Sequence, residues 1–396
     1  MPPLRRFALG AAALALAFAL WLPSLRLVYR PRESTLRPPD NSLAPRARGL
    51  LARQMALWES RAIGAHETER MRESNAEWDF RGRTSLALAL ANAALRDPPQ
   101  TARYVALLDR VIEDTLRHER EDGMYYFLMP YARAKPWVFA PARSVFVDGE
   151  IAMMLGARRM VRDDRADYRE ALVERARRIT EQMRASALLS AESYPDECWT
   201  FCNTLGLAAL RVHDALDHTD HGDLRREWVA LARARLIDAK TGLLVSSYTL
   251  DGEVRDGPEG SSIYMAAHDL LLVDRDFARD QYARAHRHLN RELLGFGYAL
   301  EWPDAARGRE DVDSGPTVPL VGANAGASGM ALLGAGAFND TSTLAGLVAS
   351  LDLAAFPIED ETGLRYAASN AVGDSVLLYA LVEGPLWQAV EQRSPP

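Results

Sequence analysis

Residues 168–184 read YREALVERARRITEQMR, from Tyr168 to Arg184, and residues 322–337 read GANAGASGMALLGAGA, from Gly322 to Ala337. The first sets Arg169, Glu170, Glu174, Arg175, Arg177, Arg178 and Glu181 around an apolar stripe, so as a helix it needs water along a broad face. The second carries no charge on any side and needs burial nearly all round. Working outward, twelve segments have helical spacing: about 42–63, 82–95, 101–119, 143–161, 165–187, 199–216, 222–237, 261–272, 276–293, 322–338, 341–353 and 371–390. The odd members are of the first kind. The even members, among them Ser85 to Leu95 and Asp374 to Leu386, are largely apolar or small. Six water-facing helices alternating with six buried ones predict an all-α chain folded as an (α/α)6 barrel, a six-hairpin toroid with an inner and an outer ring. One hairpin is expected, where Leu243 to Tyr248 runs into Asp251-Gly252.

The chain has 396 residues, 48% hydrophobic and 26% charged, which excludes a disordered or multi-spanning protein. Net charge is −7, and residues 1–38 contribute +5 through six arginines and one glutamate, leaving an acidic body. Nucleic acid is therefore not expected as a partner. Cys198 and Cys202 are too few for a disulfide framework. Arg5 and Arg6 precede an apolar run from Phe7 to Leu22, and no small-x-small cleavage site follows in Trp21 to Leu25. Residues 1–26 thus read as a single-pass anchor or a signal segment, with the anchor favoured and the body extracytoplasmic, 27–41 as an Arg/Pro-rich linker, and 42–396 as the barrel domain.

In such a barrel the segments entering the inner helices meet on one rim. They are Ser74 to Phe80, Arg143 to Glu150, Tyr194 to Asn203, Asp256 to Ser261, Asp311 to Pro316 and Tyr366 to Asn370, all rich in carboxylates, aromatics or Asn. Their gathering predicts a cavity for a small-molecule substrate. Asp196 and Asp374 also suit helix N-caps. Glu150 leads into an apolar helix, where a carboxylate needs a partner, and Arg143 is the nearest candidate. Cys198 and Cys202 fall one helical turn apart. His213 to His221 read as a solvated turn and His268 as core. No serine-hydrolase, zincin, P-loop or dinucleotide signature occurs, and neither metal nor cofactor is expected.

Tyr194-Pro195-Asp196-Glu197-Cys198-Trp199-Thr200-Phe201-Cys202-Asn203 resembles the Pro-Asp-x(5)-Cys-Asn segment of the linalool dehydratase/isomerase family, and weaker likeness spans most of residues 75–380. The resemblance implies an (α/α)6 barrel, a ring-shaped homo-oligomer, and cofactor-free proton transfer that removes or moves a hydroxyl. It places one active-site cysteine at Cys202, the other at Ser193, the active-site histidine at Glu150 and a substrate-lining tyrosine near Ile263 or Tyr264. Glu150 is then the expected acid/base, with Cys202, Asp196 and Asp148 assisting. Trp78, Asp79, Tyr194, Trp199, Asn203, Glu259, Tyr264 and Asp313 are the expected substrate-binding residues. A carbohydrate-active barrel using Glu77/Asp79, Asp148/Glu150 and Asp311/Asp313, with Trp302 stacking, is the alternative, and a membrane-tethered binding module a third.

Overall fold

The chain enters through α1 (Pro3–Ser24), α2 (Arg26–Tyr29) and α3 (Glu33–Leu36), and a computed structural model describes residues 3–303 and 314–393. Next come α4 (Pro45–Glu59), α5 (Arg61–Ser74), α6 (Ala76–Arg96), α7 (Thr101–Asp122), α8 (Val145–Val161) and α9 (Ala166–Ala185). Strand β1 (Cys198–Trp199) leads into α10 (Thr200–Asp217) and α11 (Gly222–Arg235), then β2 (Ser247–Tyr248) and β3 (Val254–Asp256). The chain continues with α12 (Gly260–Leu270), α13 (Arg275–His288), β4 (Asn290–Leu293), β5 (Phe296–Ala299), α14 (Ala325–Ala337) and α15 (Thr341–Ala355). It ends with β6 (Pro357–Asp360), β7 (Gly363–Tyr366), α16 (Ala371–Val382) and α17 (Pro385–Arg393).

Six of these helices close a ring: α6 packs on α8, α8 on α10, α10 on α12, α12 on α14, α14 on α16, and α16 returns to α6. That closure makes the chain an (α/α)6 barrel. Each inner helix is buried along most of its length because neighbours cover both flanks and an outer helix covers its back. Small residues permit the approach; a Cβ on Gly336 would stand 2.6 Å from the Ala380 carbonyl oxygen. Outer helices keep only a stripe inside, such as Tyr168, Leu172, Ala176, Ile179 and Met183 on α9. Helices α4 and α5 fill the sixth outer place, against α16 and α6.

Asn75, Asn324 and Asn370 cap α6, α14 and α16 through their side chains. Asp196 and Asp374 are not caps: Asp196 occupies a left-handed turn, φ 48°, and Asp374 lies inside the first turn of α16. The expected hairpin is β2–β3, turned at Gly252, with β1 added in antiparallel register Cys198↔Tyr248. Cys198 is therefore in a strand rather than on the helix of Cys202. Hairpins β4–β5 and β6–β7 go beyond the expectation, and β4 replaces the end of the helix read over 276–293. Pro385, behind Gly384 at φ 129°, splits the last segment, so α17 folds over the end of the barrel against α6, α8 and α10.

Helix α1 is long and apolar enough to cross a membrane, and its apolar window is unburied. Residues 27–41 are not a spacer. Arg30 donates to Glu292, the Gly295 carbonyl and Ser342, Arg37 to Asn339 (2.6 Å) and the Ala380 carbonyl (2.6 Å), and Leu36 is buried. These contacts seat the segment at the end of the barrel where the inner helices finish.

Gly336→Ala is expected to cost about 1–3 kcal/mol, because the new methyl meets backbone, whereas Gly329→Ala on the same helix meets open space and should be neutral or stabilising. Urea unfolding midpoints of the two variants check this.

Candidate active site

Where the inner helices begin, the rim encloses a cleft of about 680 Å³, partly open to solvent. Helix α6 contributes Glu77, Trp78 and Arg81, α8 Phe146, α10 Phe201 and Cys202, and α12 Ser261, Ser262 and Met265. Strand β1 adds Trp199, and the connecting segments add Tyr131, Tyr194, Glu259, Glu301 and Ser314. The first turns of parallel helices converge here, so side chains distant in sequence share one space. Walls are aromatic: Tyr131 stacks on Tyr194 with centroids 4.3 Å apart, and Phe201 meets Phe146 and Trp199 edge-on.

The polar groups are held from behind. Tyr194 donates to Glu77 and accepts from the Met129 amide at 2.9 Å. Burial and the neighbouring Glu77 charge push the Tyr194 phenol far up, so it stays a donor. Ser261 donates its hydroxyl to Glu301 at 2.5 Å. Buried Glu192 accepts from the amides of Val138, Phe139 and Asp196 at 3.0, 2.9 and 2.7 Å, which fastens the loops flanking Tyr194. The Cys202 thiol is raised well above its ordinary value by burial, with Ser193 hydrogen bonding opposing, so it is a neutral thiol at neutral pH.

Arg81 forms the floor. Its Nη1 lies 3.0 Å from Glu150 Oε1, and both residues are buried. Burial lifts the Glu150 carboxyl and Arg81 pulls it back. Deeper in the barrel His268 reaches Asp269 at 2.8 Å, the Tyr379 hydroxyl at 2.8 Å and Glu383 at 3.0 Å, under the ring of Trp387. Burial works against the His268 charge, but Glu383 and Asp269 prevail and its pKa is pushed up to about 9. His268 is thus a buried cation rather than inert core.

Of the expected site residues, Trp78, Tyr194, Trp199, Cys202 and Glu259 line the cleft. Glu150 does not reach its surface: it sits in the second turn of α8 behind Arg81, and its partner is Arg81 rather than Arg143. Arg143 pairs instead with Asp148, which Arg175 also holds at 2.8 Å, so Asp148 joins an ion cluster with Glu119 away from the cleft. Asp79 points outward to Arg83 at 3.1 Å. Asn203 grips both backbone groups of Ala191, and Tyr264 turns its hydroxyl to Asn290 on the outer layer. Asp196 faces Arg255 at 3.8 Å outside the lining. Asp313, with Asp311, lies outside the described residues. The rim stretch Tyr366 to Asn370 lines a separate hollow with Arg53 and Arg70.

Arg81, Tyr131 and Glu301 were not anticipated; an arginine amid small residues in Phe80 to Ser85 was the available signal for the first. The expected solvated turn at His213 to His221 is packed, with Asp214 accepting from Thr219, His221 and Arg225. His213, Asp214 and His221 bring ligand-type atoms within 4.8 Å of one another, the one mostly buried group of that kind among the described residues.

The sequence profile of the linalool dehydratase/isomerase family matches residues 152–372, more than half of the chain. No curated protein matches significantly. Solved structures similar in fold include a family 76 α-mannanase from Bacteroides thetaiotaomicron, with TM-score 0.48 and 11% identity over 79% of this chain and 87% of that one. Another is a family 105 glycoside hydrolase from C. acetobutylicum ATCC 824, with TM-score 0.43 and 14% identity over 84% and 99%.

Because His268 has a folded pKa of about 9 against about 6.5 unfolded, it stabilises the fold fully below pH 6.5 and loses that contribution as pH rises to 9. The loss is on the order of 3 kcal/mol. His268→Gln should be less stable than the parent at pH 6 and close to it at pH 9.5, as measured by urea unfolding at the two pH values.

Proposed function

Because the chain belongs to the linalool dehydratase/isomerase family, we propose that it is a cofactor-independent acid/base enzyme that removes or moves the hydroxyl of an uncharged, isoprenoid-like alcohol. The observation that carries this reading is the cleft itself, with six aromatic side chains around glutamates, a neutral thiol and hydroxyls. Aromatic faces suit an allylic cation formed as the C–O bond breaks. Glu77 is the base that takes a proton from the carbon beside the cation, its ionised form favoured by the Tyr194 phenol. Cys202, kept protonated by burial, is the group that donates to the departing hydroxyl, which leaves as water. Return of water to the same cation at another carbon gives isomerisation.

Glu150 has a positioning role in this scheme rather than the acid/base role expected from sequence. It neutralises Arg81, so the floor of the cleft does not oppose a developing cation. The same reading takes α1 as a membrane anchor, the barrel as extracytoplasmic and the assembly as a homo-oligomer. Three glutamates and two tryptophans in one cleft also suit a saccharide, which makes glycoside cleavage the second reading.

The full chain in detergent, incubated with prenyl alcohols and oligosaccharides and followed by mass spectrometry, should change an alcohol by 18 Da or shift its hydroxyl. Glu77→Gln should slow that conversion by about 10²–10⁴-fold. Cleaved oligosaccharide with unchanged alcohols would transfer the assignment to glycoside hydrolysis, and parental activity in Glu77→Gln would remove Glu77 from the chemistry.

A further inference from the structure

The end of the barrel away from the cleft carries a concavity of different chemistry. It encloses about 630 Å³, partly open to solvent, and its lining includes Arg211, Arg225, Arg226, Arg275, Glu391 and Val273. Four guanidiniums converge on one hollow in a chain whose net charge is −7. Three of them are answered within the protein. Arg225 donates to Asp214 at 2.6 Å, Arg226 pairs with Asp223, and Arg275 pairs with Glu391.

Arg211 is different. It is half-buried on α10, and among the described residues it makes no hydrogen bond and no ion pair. Burial and the like charge of Arg225 both press against its protonated form, and Asp214, Glu391 and Asp220 act on it only from beyond ion-pair distance. A half-buried cation facing a hollow with no carboxylate of the described residues within ion-pair distance is the half of a charge pair that a ligand completes.

Gly222 opens the fourteen-residue helix α11, and its amide donates to Asp220 Oδ1 at 2.7 Å, so the helix start at the edge of the hollow is already capped. A Cβ on Gly222 would stand 2.9 Å from Asp220 Oδ1, 3.0 Å from Arg226 Nη1 and 3.8 Å from Arg225 Nη2, so the absence of a side chain lets one carboxylate and two guanidiniums close over the helix start. Planar guanidinium forks fit the oxygens of a phosphate in pairs.

We propose that this concavity binds a phosphate-bearing anion through Arg211, with Arg225 and Arg226 beside it at the start of α11. The anion has two sources with the same chemistry. One is a phospholipid headgroup, since the segment that follows α1 docks at this end of the barrel. The other is a free phosphate compound.

Calorimetric titration of the full chain in a non-ionic detergent tests the proposal, using inorganic phosphate and, separately, a short-chain phosphatidylglycerol below its micellar concentration. Saturable binding is expected for at least one probe, with affinity reduced about tenfold or more by Arg211→Gln. Tighter binding of phosphatidylglycerol than of phosphate identifies the lipid as source, and the reverse identifies a free phosphate compound. The unliganded unfolding midpoint of Arg211→Gln should stay close to the parent, because Arg211 makes no hydrogen bond or ion pair among the described residues and glutamine keeps much of its stem. If Arg211→Gln does not fold, exposed Arg226→Gln carries the same tenfold expectation. No binding of either probe at millimolar concentration, or parental affinity in these variants, overturns the proposal.

Discussion

A guanidinium sealed inside a ring of helices sets terms for everything near it. Arg81 is almost wholly buried on α6, where an uncompensated charge would cost several kcal/mol, and Glu150 from α8 answers it at 3.0 Å. That bond joins two adjacent staves of the barrel directly beneath the cleft. The compensation does not stop there. Asp269 and the Tyr379 hydroxyl bear electrostatically on Arg81, and both contact His268, which in turn meets Glu383. Five charged side chains, Arg81, Glu150, Asp269, His268 and Glu383, thus run from the cleft floor toward the far end, where α17 lays Trp387 against His268. Keeping water out at that end is what makes these interactions strong.

The cleft owes its contents to helix polarity. Inner helices of an (α/α)6 barrel are parallel, so their first turns and the loops before them share one rim, and their last turns share the other. Glu77, Phe146, Cys202 and Ser262 lie far apart in the chain yet line one space for this reason. Precision comes from groups that never touch that space. Glu192 collects three amides, and Asn203 pairs with both backbone groups of Ala191, so the stretch bearing Tyr194 and Trp199 has little freedom. A neutral floor, aromatic walls and pinned polar groups together suit chemistry in which a cation forms briefly and a proton moves a short way.

The hollows at the two ends of the barrel differ in their lining. Glutamates gather at the cleft, whereas arginines gather around Arg211 at the end where residues 27–41 dock. Arg30 and Arg37 bond to carbonyls and side chains of the barrel, so the stretch after α1 is part of the fold and holds α1 at one place on it. An apolar helix and a cluster of arginines at the same end are arranged as a surface that meets acyl chains and phosphates would require.

Much of this was legible in the residues alone. Contrasting Tyr168 to Arg184 with Gly322 to Ala337 specified outer and inner helices, because burial on one face or on all faces is a local property of composition. The alternation specified the barrel, and barrel polarity specified which loops share a rim, and Trp78, Tyr194, Trp199, Cys202 and Glu259 all line the cleft there. Direction within a turn was not legible. Asp79 and Glu77 are two residues apart on one helix, which sends the first to Arg83 and the second into the cleft. Partners were not legible either: Glu150 meets Arg81, 69 positions away, and not Arg143, seven away, because ring closure brings α6 against α8. Composition and period thus determined which segments are helices and which are buried. Only the tertiary structure decided which charges meet, since an ion pair depends on rotation about each helix axis and on contacts between helices that no local pattern records.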